Sequence, residues 1–394
     1  MSWPIVTLGE VAVFINGDRG KNYPSKGSFV ESGVAFINAG SLSLEHRVVD
    51  SELNFITQDK YDSLRSGKIE RGDILFCLRG SLGKFAVIEN DLKGAIASSL
   101  VIIRANDKIT LSYLKHYLGS VLCAKEIDTF ENGAAQPNLS ATDLKSFKIP
   151  LPPLDEQKRI AAILDKADAI RQKRKQAIAL ADEFLRSVFL EMFGDPVTNP
   201  KGWEVKTLTE LTTKITDGTH KTPSYTDTGV PFLSAKNIKP WGLDFEDTKF
   251  ISREEHEQLI KRCNPELGDI LLSKSGSLGT PAIVDTKNEF SLFESAALFK
   301  LNKALIEAEF LYHFIRSEPA KCMLLKNTKG VAIKHLHLKE LRELKIIYPP
   351  RELREDFIRV AEQVKRFVLK SRLSDLESVH CFDSLSQKAF SGQL

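Results

Sequence analysis

Residues 152–195 read PPLDEQKRIAAILDKADAIRQKRKQAIALADEFLRSVFLEMFGD, and this stretch decides how the rest of the 394-residue chain is organised. No Gly or Pro occurs between Leu154 and Phe193. Such a run predicts one uninterrupted helix of about 55 Å. The helix should end where Gly194 and Pro196 follow, because Gly favours the end of a helix and Pro cannot continue one.

An apolar seam with 3-4 spacing runs along this stretch, and only Arg174 interrupts it. Four heptads of this pattern predict a coiled coil, whose seam needs a partner helix. The seam positions are Ile160, Ile163, Ala167, Ile170, Arg174, Ala177, Ala181, Phe184 and Val188.

The C-terminal segment, residues 351–394, offers that partner. It follows a proline pair, as the central stretch does, and has no Gly or Pro before Gly392. We predict that residues 152–194 pair antiparallel with residues 351–390 as an intramolecular coiled coil, the alternative being two separate surface helices. The apolar residues of the segment keep the same spacing and then shift register, at Leu353, Phe357, Val360, Val364 and Phe367, then at Leu369, Leu373 and Leu376.

The chain also repeats itself at a nearly constant offset. GVAFINAGSLS at Gly33 matches GVPFLSAKNIK at Gly229, and GDILFCLRGSLG at Gly72 matches GDILLSKSGSLG at Gly268. A period this long does not fit a solenoid repeat. The repeat therefore predicts two copies of one globular domain, each followed by a helix.

The predicted fold class is α+β, with two pseudo-symmetric mixed α/β domains separated by the long antiparallel helical pair. We place the first domain at residues 1–150, the central helix at 151–194, the second domain at 195–348 and the C-terminal helix at 349–394. Runs rich in β-branched or alternating residues predict strands, and two further segments predict short helices. The strands are expected at Val11–Ile15, Ala35–Asn38, Asp73–Leu78, Phe85–Glu89 and Ser99–Arg104, and the helices at Leu111–Gly119 and Glu307–Ser317.

Composition sets broad limits on the class of protein. With 42% hydrophobic and 27% charged residues, the chain resembles an ordinary soluble protein. No apolar run reaches membrane-spanning length, and the N-terminus does not resemble a signal peptide. The Cys residues form no CxxC pair, so we expect free thiols in a reducing cytoplasm. They are Cys77, Cys123, Cys263, Cys322 and Cys381.

Basic and amide side chains cluster in equivalent loops of the two copies, although the net charge is only +3. Lys and Arg suit phosphate contacts, Arg also reads guanine, and planar amides read adenine. A solvated basic surface is the alternative for any single Lys. The candidate DNA-binding residues are Arg19, Lys21, Lys26, Asn38, Arg79, Ser81, Lys84, Gln136 and Asn138 in the first copy, and His220, Lys221, Lys236, Asn237, Lys274, Ser275, Lys334 and His335 in the second.

Signals of catalysis are missing from the sequence. It has no N-P-P-[YF] or D-P-P-[YF] run for amino-methyl transfer, and GSLGK at Gly80 lacks the spacing of a phosphate-binding loop. His335 and His337 have no Cys or carboxylate at metal-ligand spacing beside them. We therefore expect no catalytic residue, no metal and no cofactor in this chain.

Two half-copies, each closed by a helix after a proline pair, resemble the specificity subunit of a type I restriction-modification system. The resemblance rests on IPLPPLDEQKRIAAILDKAD, FLEMFGDP, the paired GDIL and GSLG segments, DGTHKTP and AFSGQL, which together span the whole chain. It implies two target-recognition domains that bind double-stranded DNA, two methyltransferase subunits docked on the helices and an endonuclease subunit driven by ATP. The copies differ at Gly330, where GVAIKHLHL replaces GAAQPNLS, so the two domains should read different sequences.

The resemblance implies a division of labour between this chain and its partners. Each domain would read one half of an asymmetric site, the helices would fix the unread gap, and base flipping with adenine methylation would belong to the methyltransferase. Three alternatives are a complex that only methylates, a stand-alone nuclease and a coiled-coil scaffold without a DNA role. The candidate docking residues for the methyltransferase lie at the helix ends, at Phe189, Met192, Phe193, Phe390 and Leu394.

Overall fold

A computed structural model describes residues 3–20, 23–24, 26–130, 138–326 and 335–394, apart from the side chains of Lys26 and of residues 373–381. Contacts divide the chain into two compact units. The first unit comprises residues 1–175 and 373–394, and the second comprises residues 176–372. Each unit therefore holds one copy of the repeat together with part of each long helix.

The first unit contains the elements that the first copy predicts, with small differences at their ends. Their order is β1 (Ile5–Thr7), α1 (Leu8–Val11), β2 (Ala12–Asn16), β3 (Val34–Ile37), β4 (Asn54–Ile56), α2 (Gln58–Ser63), β5 (Ile74–Cys77), β6 (Phe85–Val87), β7 (Gly94–Ile96), β8 (Leu100–Ala105), α3 (Leu111–Leu118), α4 (Val121–Phe130), α5 (Ala141–Ser146), β9 (Lys148–Pro150) and the start of α6 (Leu154–Phe193).

The core of the first unit forms on both faces of one sheet. An antiparallel sheet has the order β2-β8-β5-β6, and a smaller sheet has the order β4-β3-β7 with β3 and β7 parallel. Side chains alternate along a strand, so Ile74 and Phe76 of β5 pack towards the helices while Leu75 and Cys77 pack towards the smaller sheet. A strand buried on both faces has no polar face, which explains the uninterrupted ILFC run.

The second unit repeats this plan. Its elements are β10 (Glu204–Thr207), β11 (Thr212–Asp217), β12 (Tyr225–Thr226), β13 (Val230–Leu233), β14 (Ile238–Lys239), β15 (Gly242–Leu243), β16 (Lys249–Ile251), α7 (Arg253–Leu259), β17 (Ile270–Ser273), β18 (Pro281–Ile283), β19 (Ser291–Leu292), β20 (Ala296–Leu301), α8 (Ala308–Arg316), α9 (Glu318–Leu325), α10 (Leu338–Arg342), β21 (Lys345–Tyr348) and the start of α11 (Arg351–Ser391).

Sheet order confirms that the two copies share one fold. The main sheet of the second unit has the order β11-β20-β17-β18, which matches β2-β8-β5-β6 strand for strand. In each copy the first strand pairs with the last, β1 with β9 and β10 with β21, and so closes the domain just before its long helix. The fold class is α+β, as predicted.

A buried polar residue ties the start of each long helix to its own domain. Gln157 accepts a hydrogen bond from the amide of Thr110 at 2.9 Å and donates to the carbonyls of Lys108 and Pro152. Arg354 occupies the same place in the second copy and is 1% exposed. It pairs with Glu307 at 2.8 Å and donates to two carbonyls of neighbouring loops. The proline-pair motifs are therefore structural in both units.

The long helices run antiparallel within each unit. In the first, Arg159 near the start of α6 donates to the carbonyl of Leu394, and Arg171 lies over the ring of Phe382. In the second, Phe189 near the end of α6 packs edge-to-face on Phe357 near the start of α11. The predicted antiparallel pairing is confirmed.

The buried stripe of α6 departs from the predicted seam. Ile160 is buried as expected, but Ile170 is 44% and Phe184 51% exposed. Helical side chains four apart stay roughly on one face, and the stripe follows Ile160 and Leu164 in the first unit. It then follows Leu185, Phe189 and Phe193 in the second unit. The stripe shifts because each end of the helix packs on the sheet and helices of its own unit, not on its partner helix alone. Leu373 and Leu376 of the second seam have side chains outside the described residues.

Three of the five predicted docking residues at the helix ends are buried and two are half-buried. Phe189 and Phe193 are 1% and 0% exposed, inside a cluster with Phe310 of α8. Phe390 is 3% exposed and packs on Tyr113 and Tyr117 of α3. Met192 and Leu394 are half-buried against the same two cores. Phe189, Phe193 and Phe390 therefore close the cores of the chain itself and offer little surface to a partner.

Cys77, Cys123 and Cys263 are buried free thiols and Cys322 is an exposed one, while Cys381 lies outside the described side chains. Burial raises the pKa of the Cys263 thiol to about 12. None of the helices in the described ranges is both long and apolar enough to cross a bilayer.

The buried position of Arg354 predicts a large stability cost for its removal. Arg354→Ala leaves the carboxylate of Glu307 with only the exposed Arg351, 4.0 Å away, and removes one donor from each of two carbonyls, which should lower the free energy of unfolding by about 3 kcal/mol. Arg359→Ala is the matched control, because the exposed Arg359 pairs with Asp356 at the surface of the same helix and should change stability little. Urea unfolding of the two variants measures the difference, and equal midpoints would contradict the structural role.

Candidate functional site

The predicted loops of the first copy meet at one end of its main sheet. The amide of Leu78 donates to the carbonyl of Ser99, and the amide of Leu139 donates to the carbonyl of Leu78 at 3.0 Å. The ammonium group of Lys84 reaches the carbonyl of Ala39 at 3.4 Å. We call this surface the first loop edge and define it as the described residues within 16–33, 38–48, 78–84, 97–99 and 138–140.

The second copy builds an equivalent surface by the same contacts. The amide of Lys274 donates to the carbonyl of Ser295, and the amide of Leu336 donates to the carbonyl of Lys274 at 3.1 Å. The amide of Ala235 donates to the hydroxyl of Ser295 at 3.0 Å. We call it the second loop edge and define it as residues 217–229, 234–248, 274–280, 293–295 and 335–337.

Glycines make both loop edges possible at two kinds of place. In the β5–β6 hairpin, Gly80 and Gly83 have φ angles of 82° and 79°, in the left-handed region that favours glycine. Behind β11, a Cβ on Gly218 would lie 2.0 Å from the carbonyl oxygen of Leu292. Any side chain at Gly218 would therefore push the DGTHKTP loop away from the sheet.

Of the six predicted residues of the first loop edge whose side chains are described, four are exposed to solvent. Arg79 is exposed, and its Nε donates to the Oδ1 of Asn138 at 3.0 Å. Arg19, Ser81 and Asn138 are also exposed, and Lys84 is half-buried. Lys21, Gln136 and the side chain of Lys26 lie outside the described residues.

Asn38 has a structural role as well as a half-exposed position. Its Oδ1 accepts hydrogen bonds from the amides of Gly40 at 2.7 Å and Ser41 at 3.3 Å, and so caps a short turn. Its side-chain nitrogen has no hydrogen bond within the described residues, so it remains a candidate donor to DNA.

The second loop edge divides its predicted residues between surface and interior. His220, Lys221 and Lys236 are exposed, and Ser275 and His335 are half-buried. Burial, and then the charge of Lys274, lowers the pKa of His335. Lys334 lies outside the described residues.

Two predicted DNA contacts, Asn237 and Lys274, are buried and already hydrogen-bonded within the second unit. Asn237 is 1% exposed; its Oδ1 accepts from the amide of Ser234, and its Nδ2 donates to the carbonyls of Asp244 and Asp247. Lys274 is 3% exposed and pairs with Asp217 at 2.6 Å. An approaching base would meet neither group without disrupting the fold.

The Asp217–Lys274 pair is the centre of a charged network that the sequence did not predict. Arg262 contacts Oδ1 of Asp217 at 2.6 Å, and His220 lies between Asp217 at 3.4 Å and Glu294 at 2.9 Å. Burial opposes ionisation of Asp217, but the hydrogen bond and charge of Lys274, with smaller help from His220 and Arg262, hold its pKa below the usual range. The network fixes the base of the DGTHKTP loop.

A comparison of the two copies of the repeat shows which sequence feature could have predicted this network. Asp217 pairs with Ala297 across the sheet as Asn16 pairs with Val101, and Lys274 occupies the place of Leu78. The second copy thus replaces a neutral pair by an acid and a base together. Two such changes at aligned positions indicate an ion pair.

The aspartates of the two GDIL motifs also have structural roles. Asp73 accepts from the amide of Glu70 at 2.8 Å and pairs with Arg104 at 2.8 Å. Asp269 accepts from the amide of Glu266 and pairs with Lys300 at 3.0 Å. Both stabilise the turn before the hairpin strand, and neither is available for catalysis or ligand binding.

A groove on the second loop edge collects hydroxyl groups beside two lysines. Hydroxyls donate and accept hydrogen bonds, so they suit the mixed edges of bases. The lining residues include Ser234, Lys236, Lys239, Ser275, Ser277, Thr280 and Ser295. Across the described parts of the chain, no group of three or more His, Cys, Asp or Glu is placed to hold a metal ion.

The Asp217–Lys274 pair gives a prediction for stability and its pH dependence. Lys274→Met should cost about 2–4 kcal/mol, because it leaves a buried carboxylate with weaker partners. The double variant Asp217→Asn with Lys274→Leu copies the neutral pair of the first domain and should stay close to the wild type.

The pH dependence distinguishes these variants further. The pKa of Asp217 is lower in the folded protein, so its contribution is present above pH of about 4 and is lost as the pH falls through the folded-state value. The double variant should lack this acid-dependent loss in urea unfolding below pH of about 4. An identical acid response of the double variant and the wild type would refute the role of the pair.

Comparisons with known proteins agree with this fold and its repeat. The family model described as "Type I restriction modification DNA specificity domain" matches residues 2–180 and 200–360, one match for each copy. The EcoKI specificity subunit of Escherichia coli K12 is 22% identical over 100% of this chain and 89% of its own length. The MjaIX specificity subunit of Methanocaldococcus jannaschii is 23% identical over 82% of this chain and 78% of its own length.

Two solved structures share the fold. A chain of a type I R-M system, solved to explain complex assembly and conformational transition, matches with a TM-score of 0.57 and 18% identity, covering 100% of this chain and 98% of that chain. The type I S subunit from M. genitalium matches with a TM-score of 0.53 and 16% identity, covering 99% and 96%. Because the family model covers most of the sequence, once in each copy, this chain belongs to the family of type I restriction-modification DNA specificity proteins.

Proposed function

We propose that this chain recognises an asymmetric, two-part DNA site and directs methyltransferase and endonuclease partners to it. The observation that carries this proposal is the pair of loop edges. They are built by the same backbone contacts but differ in their side chains, for example Arg79 against Ser275 and Asn138 against His335. Two scaffolds of one shape with different surface chemistry suit the reading of two different half-sites.

Arg79 is the strongest candidate for base reading on the first loop edge. Asn138 holds its Nε, which orients the planar guanidinium and leaves the two terminal nitrogens without a hydrogen bond within the described residues. Two parallel donors match the O6 and N7 acceptors of guanine. Lys84 is a point charge on a flexible stem and suits a phosphate instead.

Sequencing of methylated adenines in cells tests the proposal. Deleting this chain should abolish methylation at one two-part sequence motif. Arg79→Ala should relax the preference at one position of one half-site, which corresponds to about 1–3 kcal/mol against the preferred base. Lys84→Ala is the control and should lower methylation without changing the motif.

Other outcomes of that experiment separate the alternatives. Methylation without restriction of foreign DNA would favour a complex that only methylates. Cleavage of DNA by the purified chain alone would favour a stand-alone nuclease and overturn the proposal.

We further propose that α6 sets the unread gap between the half-sites. This helix begins in the first unit and ends in the second, and its 40 residues correspond to about 60 Å. A helix of that length bridges more than one turn of DNA, which is about 34 Å.

An insertion in α6 tests its role in spacing. Four residues added after Ala179 lengthen the helix by about 6 Å and rotate the buried stripe by about 40° only. The gap in the methylated motif should grow by about one or two base pairs, at about 3.4 Å each, with both half-sites unchanged. A two-residue insertion is the control and should impair the protein, because it turns the stripe away from its cover. An unchanged gap with full activity of the four-residue variant would refute the proposed spacing.

For the methyltransferase we propose a new docking surface to replace the buried helix ends. Leu180 and Phe184 of α6 and Phe367 of α11 are 54%, 51% and 50% exposed. They line one apolar groove with Val364 and Gln363. Adjacent large apolar side chains at a surface indicate an interaction site, and covering each one adds about 1 kcal/mol of binding energy.

Co-purification with the methyltransferase tests the docking surface. Phe184→Ser with Phe367→Ser should weaken complex assembly without lowering the thermal unfolding temperature, because both side chains already face solvent. Leu267→Ser is the control, since Leu267 is 48% exposed elsewhere in the second unit. Undiminished co-purification would exclude this surface, and self-association of the free chain that the double variant abolishes would assign the groove to a second copy instead.

A further inference from the structure

The two loop edges differ in how their cations are engaged. On the first loop edge, none of the four described cations forms an ion pair. Arg79 contacts the neutral amide of Asn138, Lys84 contacts a backbone carbonyl, and Arg19 and Arg47 form no ion pair within the described residues.

On the second loop edge, carboxylates engage most of the described cations. Lys236 pairs with Asp247 at 3.0 Å and Lys239 lies 3.9 Å from Asp244. The buried Lys274 pairs with Asp217, as described above. His220 lies between Asp217 and Glu294, and Lys221 alone among the described Lys and Arg residues of this edge has no ion pair.

The sequence shows the same asymmetry across the complete loops. In the sequence, residues 16–33, 38–48, 78–84, 97–99 and 131–140 of the first copy contain six Lys and Arg residues, and so do residues 217–229, 234–248, 274–280, 293–295 and 327–337 of the second. The first set has four Asp and Glu residues and the second has six, so the first set is net positive and the second is neutral.

Salt dependence of DNA binding follows from cations that are free to neutralise phosphates. Each free Lys or Arg that reaches a phosphate releases counterions from the DNA, which makes the affinity fall as salt rises. A cation already paired with a carboxylate brings that negative charge along, so it adds little net attraction. It is also held in one position before DNA arrives, which suits the reading of a defined shape.

We propose that the two loop edges divide the work on DNA. The first supplies most of the salt-dependent attraction to phosphates, and the second, whose cations are neutralised by its own carboxylates, contributes mainly contacts that depend on the bases. This inference rests on the proposed function, since it assumes that both loop edges bind DNA.

Binding of the full-length chain, in complex with the methyltransferase, to a random-sequence DNA duplex at several salt concentrations tests the division. Arg19→Gln with Lys84→Gln should lower the log–log salt slope by up to about two units, one for each lost phosphate contact. The matched pair on the second loop edge, Lys236→Gln with Lys239→Gln, should leave the slope nearly unchanged.

Removal of carboxylates from the second loop edge should have the opposite effect on the salt slope. Asp244→Asn with Asp247→Asn frees Lys236 and Lys239, so it should raise both the affinity for the random duplex and the salt slope. Glu362→Gln is the control, because it frees Arg366 from an exposed pair on α11, outside both loop edges, and should change neither.

The outcomes distinguish this inference from the proposed function. The division of work would be overturned if the two double variants that remove cations, one on each loop edge, lost the same amount of salt slope. It would also be overturned if the double Asp variant showed no increase in affinity and salt slope. Either result would leave DNA recognition intact. A wild-type complex that binds no duplex at any salt concentration would refute the proposed function, and the inference with it.

Discussion

The structure depends on one constraint: the apolar stripe at each end of a 40-residue helix has to be covered. Ile160 and Leu164 are covered by the core of the first unit, and Phe189 and Phe193 by that of the second. Helix propensity alone does not determine where a helix lies in a fold, because most of the stability of a helix comes from tertiary packing. The long helices and the domains therefore fold as one system within each unit.

Buried polar contacts give that packing its register. An apolar stripe can slide or rotate at little cost, but the hydrogen bonds of Gln157 and Arg354 fit only one position of the helix start. The penalty for leaving such groups unpaired exceeds the gain from any small improvement in packing. The proline-pair motifs thus act as anchors, and they explain why both copies begin their helices at the same place relative to the closing strand.

Much of the fold follows from the sequence because it depends on local pattern. The bounds of α6 at Leu154 and Phe193 agree with the predicted run, and the internal repeat predicts that the copies share one fold. The residues that cover each face of the helix could not be predicted from the sequence. The sequence shows that Phe184 and Phe189 are both apolar residues of the same helix. It does not show that Phe184 is exposed while Phe189 is covered by α8. For the same reason the sequence did not show that three of the predicted docking residues, Phe189, Phe193 and Phe390, are buried.

For the polar residues of the candidate site, too, the sequence predicts location better than burial. Equivalent loops in two copies predict where the loop edges lie, because a shared fold brings shared segments together. Residue type alone places Lys274 at the surface, since lysine is rarely buried. Its burial becomes understandable only with Asp217 opposite it, from a strand 57 residues away in the sequence.

The comparison of the copies separates scaffold from surface. Residues that hold the scaffold are chemically alike in both, as with Asp73 and Arg104 against Asp269 and Lys300. Residues on the loop edges differ, as with Asn16 and Leu78 against Asp217 and Lys274. Since a sheet buried on both faces already supplies the core, the loops at its end carry little of the folding free energy and are free to differ. An ion pair at the base of such a loop, as between Asp217 and Lys274, then fixes the DGTHKTP loop of the second copy at a place where the first copy has neutral residues.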